Sequence, residues 1–193
     1  MKIWHEWENS FEVMMYSRSR PLNMVNTGQL EARLEEWSKD VYSLHFIVEL
    51  VDSKEPIGIA RIEMEPGHTV KTAGVGTYIG KKELWSKGIG KHITLALLEM
   101  TFNHLNVERC EASSIEYNRR AHKVLETCGF KKVGVSRQAM FVNSRRWDDC
   151  HFDILREEYL AIRERLLKEE LGDKLNEYIE RHCTIKESGD QTR

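Results

Sequence analysis

Trp85-Ser86-Lys87-Gly88-Ile89-Gly90-Lys91 is the stretch on which the fold turns. It follows a run of strand-forming residues, Ala73 to Gly80. It also opens the clearest helical pattern in the chain, Ile89 to Leu105, where Ile89, Ile93, Ala96/Leu97 and Met100 share one face. Gly88 and Gly90 let the backbone approach an anion closely and adopt positive φ. The first turn of the helix adds unbonded N–H groups and the positive end of the helix dipole, and Lys87 and Lys91 add charge. A diphosphate is the ligand that suits such a turn. It is not a Walker A loop, because Trp85 stands where that loop has its first glycine and His92 where it has Ser or Thr. Nor is it a Rossmann fingerprint, since Ile93 replaces the third glycine. By itself it reads equally well as a glycine-rich turn with solvated lysines.

Working outward, Leu44 to Val51 and Ile57 to Met64 are rich in β-formers and separated by Asp52-Ser53-Lys54-Glu55-Pro56, a hairpin pattern. Pro66-Gly67-His68 marks the next turn. Upstream, Trp4, Trp7, Phe11 and Met14/Met15 recur at helical spacing, Pro21-Leu22-Asn23 breaks the run, and a second helix is predicted from Gln29 to Lys39 with Thr27 as its cap. Downstream, Val107 to Ser114 reads as a strand, Asn118 to Cys128 as a helix ended by Gly129, and Lys131 to Val142 and Trp147 to Leu155 as strands around Asn143-Ser144-Arg145. Val124, Leu125 and Phe130 are assigned to the core and His122 to the helix surface. The order predicts an α+β domain whose two successive strand–helix–strand crossovers bring a parallel pair to the sheet centre.

The tail from Arg156 is charged, with Leu160, Leu166, Leu167, Leu171 and Leu175 interspersed. It reads either as an amphipathic helix docked on its own domain or as one that pairs with a second copy. The organisation expected is a domain over 1–155, a helical extension over 156–185 and a disordered tail over 186–193.

A net charge of −2 supplies no general field for nucleic acid, so no nucleic-acid partner is expected. No apolar run approaches the roughly 20 residues needed to span a bilayer. The amino terminus lacks the layout of a secretory signal, and a cytoplasmic location follows as the expectation. Cys110, Cys128, Cys150 and Cys183 are scattered without a Cys-x-x-Cys pair, which argues for reduced thiols and against a metal.

A second constellation gives the glycine turn its meaning. Asn118-Arg119-Arg120-Ala121-His122-Lys123-Val124-Leu125-Glu126-Thr127-Cys128-Gly129-Phe130 follows a strand closely, and Asn118 reads either as a helix cap or as an amide offered to an extended ligand. The turn at 85–91 and Asn118…Glu126-x-x-Gly129-Phe130, in this order, resemble the two hallmark motifs of the GNAT superfamily of N-acetyltransferases. The aromatic-x-Lys-Gly-x-Gly form of the turn, Arg109-Cys110-Glu111-Ala112 and Arg20-Pro21-Leu22-Asn23 resemble its RimJ/RimL-type branch. The resemblance covers roughly residues 4 to 155. Trp85 departs from it where many members have Gln or Arg, and Leu125 where others have a tyrosine proton donor. The first strand of the family also has no counterpart in the pattern, so it is absent or supplied in another way.

The resemblance implies a mixed, largely antiparallel twisted sheet flanked by helices, and direct acetyl transfer from acetyl-CoA to an amine. Tyr78, Ile79 and Gly80 would pair with the pantetheine arm. Lys87, Gly88, Ile89, Gly90 and Lys91 would hold the pyrophosphate, with Asn118 and Lys123 along the arm. An amine attacks only when neutral, so Glu111 and Glu83 are the candidate bases, and Tyr117 and Cys128 the candidate donors to the departing thiolate. A small amine or a protein amino terminus is the acceptor. The competing readings are an acyl-CoA-binding or regulatory module without chemistry, which Leu125 keeps open, and a structural protein assembled through its terminal helix.

Overall fold

The computed structural model describes residues 1–17, 24–67 and 69–172. Arg20-Pro21-Leu22-Asn23, His68 and everything after Gly172 lie outside the described residues. Helices α1 (Lys2–Glu8), α2 (Phe11–Met14) and α3 (Thr27–Lys39) come first, then strands β1 (Ser43–Glu49), β2 (Pro56–Glu65) and β3 (Thr72–Ile79). After the glycine turn come α4 (Ile89–Glu99), β4 (Arg109–Ile115), α5 (Arg119–Thr127), β5 (Lys131–Val142), β6 (Arg145–Leu155) and α6 (Arg156–Leu171). No strand precedes β1 among the described residues.

Local chemistry accounts for most boundaries. The cap of α3 is Asn26 rather than Thr27: Asn26 Oδ1 accepts from the Gln29 N–H and Gln29 Oε1 from the Asn26 N–H, both at 2.9 Å, a reciprocal capping box. The α4 helix ends at Glu99, short of the predicted Leu105, and a π turn follows in which the Leu105 N–H reaches Met100 O at 3.0 Å. The α5 helix closes on Gly129, at φ 96, with Gly129 N–H on Glu126 O and Phe130 N–H on Leu125 O, a Schellman motif. Asn143 and Ser144, at φ 51 and 57, make the tight β5–β6 turn, so Arg145 belongs to the strand.

The six strands form one sheet in the order β1-β2-β3-β4-β6-β5. Only β3 and β4 pair in parallel. The crossover through α4 therefore joins sheet neighbours, as predicted. The one through α5 does not, because β6 inserts between β4 and β5 and pairs antiparallel with both. A sequence pattern registers a crossover but not which strand later fills the gap beside it.

The sheet has two unlike faces. Ile62, Ala73 and Val75 of β2 and β3, with Cys110, Phe152 and Ile154 farther across, pack against Ile93, Leu97, Leu98 and Leu125 of α4 and α5. Tyr159 and Leu166 join this core at 0% exposure, so the side of α6 that carries them is docked on its own domain. On the opposite face Trp4 and Trp7 of α1, Leu30 of α3 and Val25 just before α3 cover Ile59 and Tyr78. Their seating explains Gly80: a Cβ there would lie 2.2 Å from the Trp7 ring.

Candidate active site

The parallel pairing of β3 and β4 lasts for three residues, Thr72 to Gly74 opposite Arg109 to Glu111. Beyond Gly74, β3 stays with β2 as far as Ile79, and β4 stays with β6 as far as Ile115. The two strands separate, and a cleft of about 590 Å³ opens between them. On the helix side it is walled by Lys91, Thr94 and Val124, within the sheet by Val75, Gly76 and Ser113, and on the far side by Val13, Tyr16 and Ser17 of the α2 segment. It passes from one face of the sheet to the other.

Backbone groups left without a strand partner line this gap. Along an antiparallel ladder successive residues turn their N–H and C=O groups to opposite sides. The Gly80 N–H bonds Ile57 O in β2 at 2.8 Å, so alternation turns the backbone of Ile79, Thr77 and Val75 toward the gap. This corrects the sequence expectation for Gly80, whose amide is spent in the sheet and whose small size serves Trp7. Tyr78 lines the cleft, but its ring packs edge-on with Trp7 and its hydroxyl donates to Glu8 Oε1 at 2.8 Å. At Ile79 the carbonyl accepts from Trp85 Nε1 at 2.8 Å, which fixes the start of the glycine turn against β3.

The turn itself runs through Ser86 at φ 61 and Gly88 at φ 85. Gly88 O accepts from the Lys91 N–H at 2.8 Å and the His92 N–H at 3.3 Å, so the amides of Ile89 and Gly90 have no carbonyl of their own helix to bond. Gly88, Gly90 and Lys91 line the cleft, whereas Lys87 is exposed outside it. Lys91 Nζ stands 3.3 Å from Glu170 and 3.6 Å from Glu169 at the end of α6. The local arrangement is that of an anion site: two free amides, a helix dipole and a cation.

Both readings of Asn118 are partly realised. Its Oδ1 accepts from the Ala121 N–H at 3.2 Å as a cap, while its Nδ2 donates to Tyr16 O at 3.4 Å and ties the α2 segment to the cleft wall. Lys123 is exposed and lines the cleft. Sequence reasoning missed Arg120 and Tyr16. The Arg120 guanidinium lies 4.4 Å from the Trp85 ring and 4.9 Å from the Tyr16 ring, a cation between two aromatic faces at the cleft. Their only signal was an aromatic two residues past the end of α2 and a basic pair after Asn118, neither specific.

The catalytic candidates separate by position. Glu111 closes the last parallel pair, at the point where the strands part, and is held by Arg109 at 2.6 Å; it adjoins the cleft-lining Ala112 without lining the cleft itself. Glu83 is exposed on a single 3-10 turn and does not line the cleft. Tyr117 packs edge-on with Tyr16, at 5.6 Å between ring centroids, and donates its hydroxyl to Met15 O; burial, with Tyr16 beside it, raises its pKa. Cys128 is fully buried and outside the cleft, and burial pushes its thiol up to about 12. A proton donor there would have to act through the core. His122 is not a surface residue: it is 8% exposed, packs on Phe152 and lies 3.4 Å from Ser114 O. Its neighbour Phe152 belongs to β6, which the α5 sequence pattern does not register. Among the described residues no group of three His, Cys, Asp or Glu side chains is arranged to hold a metal, and no helix is long and apolar enough to cross a membrane.

Comparison with known proteins gives the same geometry a context. A family model described as an acetyltransferase (GNAT) domain matches residues 2–131. The uncharacterized N-acetyltransferase p20 of Bacillus licheniformis is 26% identical over 152 residues, which is 77% of this chain and 83% of that protein. The crystal structure of spermidine N-acetyltransferase from Vibrio cholerae, in complex with CoA and spermine, superposes with a TM-score of 0.73 at 24% identity, covering 82% of this chain and 91% of that one. An acetyltransferase of the GNAT family from Bacillus anthracis gives 0.66 at 19% identity, over 81% and 89% of the two chains.

Proposed function

The chain belongs to the GNAT acetyltransferase family and is an N-acetyltransferase that uses acetyl-CoA, and we propose that it moves the acetyl group to a primary amine by direct transfer in a ternary complex. The observation that carries this reading is the cleft through the sheet, with an anion site on the helix side and an opening toward α2 on the other. In the proposed complex the amides of Ile89 and Gly90, with Lys91, hold the diphosphate. The gap-facing backbone of Val75, Thr77 and Ile79 pairs with the pantetheine amides. Asn118 and Lys123 flank the arm. The acceptor enters from the Tyr16–Ser17 side, and holding both reactants in one cleft supplies a large part of the acceleration.

The amine nitrogen, once neutral, attacks the acetyl carbon, the C–S bond breaks and CoA leaves as its thiolate. One gap-facing N–H of β3 stabilises the oxyanion formed on the way. Glu111, at the apex of the gap and steadied by Arg109, is the carboxylate best placed to receive the amine proton, directly or through water. Tyr117, protonated at neutral pH and packed against the cleft wall, is the better placed of the two donor candidates. A thiol with an ordinary pKa of about 8.5 needs little help from it. We assign the chain to the RimJ/RimL-like branch on the Trp85-to-Gly90 turn and on Arg109-Cys110-Glu111-Ala112. Any homodimer belongs to this proposal through surfaces other than the docked side of α6.

The test is acetyl-CoA turnover over a panel of spermidine, spermine, small monoamines and amino-terminal peptides, read as free thiol and as acetylated product by mass spectrometry. Thiol release dependent on at least one amine is expected. Acetyl-CoA binding without turnover across the panel would replace transfer by the binding-module reading.

A further inference from the structure

Lys91, Arg120 and Lys123 line the cleft, and among the described residues that line it there is no Asp or Glu. Glu111 sits beside the lining Ala112, but its charge is already matched by Arg109 at 2.6 Å. The walls that receive the two reactants are therefore cationic. Of the three cations, the mechanism above uses Lys91 at the diphosphate and Lys123 along the arm. It leaves Arg120 without a role.

The surroundings of Arg120 specify one. Its Cζ lies 4.4 Å from the centre of the Trp85 ring and 4.9 Å from that of Tyr16. The two rings meet edge-on, 5.8 Å apart between centroids, and form a corner that holds the guanidinium by cation–π attraction. Tyr16 is fixed in turn. Its carbonyl accepts from Asn118 Nδ2 at 3.4 Å, and Tyr117, packed against its ring, donates to Met15 O. Among the described residues the Arg120 guanidinium joins no ion pair and donates no hydrogen bond. It is exposed at the cleft, so its planar fork of N–H groups is open to an incoming ligand. That fork matches a carboxylate through two parallel hydrogen bonds. Tyr16 belongs to the α2 wall, the side from which the acceptor enters, and this puts the fork on the acceptor's path.

We propose that Arg120 binds a carboxylate of the acceptor, so that the substrate class is a free amino acid rather than a plain amine or a polyamine. This rests on the amine-acceptor reading of the cleft. The amine enters the gap and the carboxylate takes the Arg120 fork at its mouth. A polyamine suits these walls poorly. The ammonium groups it keeps when one nitrogen becomes neutral would face Arg120 and Lys123, and like charges brought together are costly. Arg120 is a specificity determinant and takes no part in bond making.

The test measures acetylation of the common amino acids and β-alanine, each beside its own amide, and of spermidine, using the full chain and its Arg120→Gln and Arg120→Lys variants. For the wild type, kcat/KM for at least one amino acid should exceed that for its amide, and that for spermidine, at least tenfold. In Arg120→Gln the acid-to-amide ratio should collapse at least tenfold, carried by KM, and Arg120→Lys should keep part of it. A merely structural role would lower acid and amide together and leave the ratio intact, which would overturn the assignment. So would a wild type that prefers spermidine or the amides, or one that acetylates only peptides. Calorimetry with acetyl-CoA and with acetyl-3′-dephospho-CoA should give the same affinities in Arg120→Gln as in the wild type. A loss confined to acetyl-CoA would give the guanidinium to the 3′-phosphate and overturn the proposal. If the wild type acetylates no amine, the transfer reading falls alone, and binding of the same amino acids to the CoA-loaded chain decides the site. Affinity weakened at least tenfold in Arg120→Gln supports it; absent or unaltered binding overturns it.

Discussion

Gly90 separates what the turn does for the fold from what it does for the ligand. It is the second residue of α4 and lines the cleft. A Cβ added there would meet Val124 Cγ2 at 3.6 Å, an ordinary contact. The folded chain therefore accepts alanine without a clash, and replacing a helical glycine favours the helix by about 0.5–1 kcal/mol. For a domain of this size that corresponds to a rise in Tm of up to about 4 °C. The same methyl would stand between Val124 and the amides that face the diphosphate. Losing one hydrogen bond to a charged group costs about 1.5–3 kcal/mol. At 1.4 kcal/mol per decade, Kd for acetyl-CoA should rise about tenfold to a hundredfold. Gly90→Ala is thus expected to melt at or above the wild-type temperature and to bind acetyl-CoA more weakly, measured by thermal shift and by calorimetry. Gly88→Ala is the contrasting case: with φ at 85 it should lower Tm as well, since a left-handed alanine costs about 1–2 kcal/mol. Affinity within twofold of wild type in a stable Gly90→Ala protein would refute the placement of the diphosphate.

Three further outcomes follow from the packing. Glu99→Gln should destabilise the chain by about 3 kcal/mol, because it leaves Arg163 of α6 without its bidentate partner, and denaturant unfolding reads the loss. Burial pushes the Glu99 carboxyl up, but Arg163, Tyr159 and Asn103 outweigh it and hold its pKa below the ordinary value. Its contribution is therefore present above the unfolded value of about 4.3 and lost as pH falls through the folded one, so acid should erode the wild type by a component missing from Glu99→Gln. Gly80→Ala should cost about 1–3 kcal/mol or more through the clash with Trp7, visible as a lowered Tm; an unchanged Tm would mean α1 is not seated as described. Cys128 should resist thiol reagents at pH 8 until the chain unfolds, since burial pushes its pKa up to about 12, and mapping of labelled peptides would detect the contrary.

How much was legible in the chain depends on how local each cause is. The glycine turn, the Asn118 cap and the Gly129 stop rest on interactions within a few residues, and they stand where the sequence puts them. The boundary errors are of the same kind: Asn26 outcompetes Thr27 because Gln29 completes its box, and α4 yields to a π turn where Phe102 must be buried. His122 was misjudged as a surface residue because its burial comes from residues distant in sequence. Phe152 packs against it from β6, the strand that inserts between β4 and β5.

The sequence by itself determined that an anion site opens a helix after the third strand, because glycines, a helix start and lysines act within one turn of chain. Only the tertiary structure decided what that site adjoins. The gap between β3 and β4, the seating of Trp7 on Gly80, and the Arg120 guanidinium between Tyr16 and Trp85 all arise where segments far apart in sequence meet. Side-chain pattern reports which face of an element is buried, but not which partner buries it.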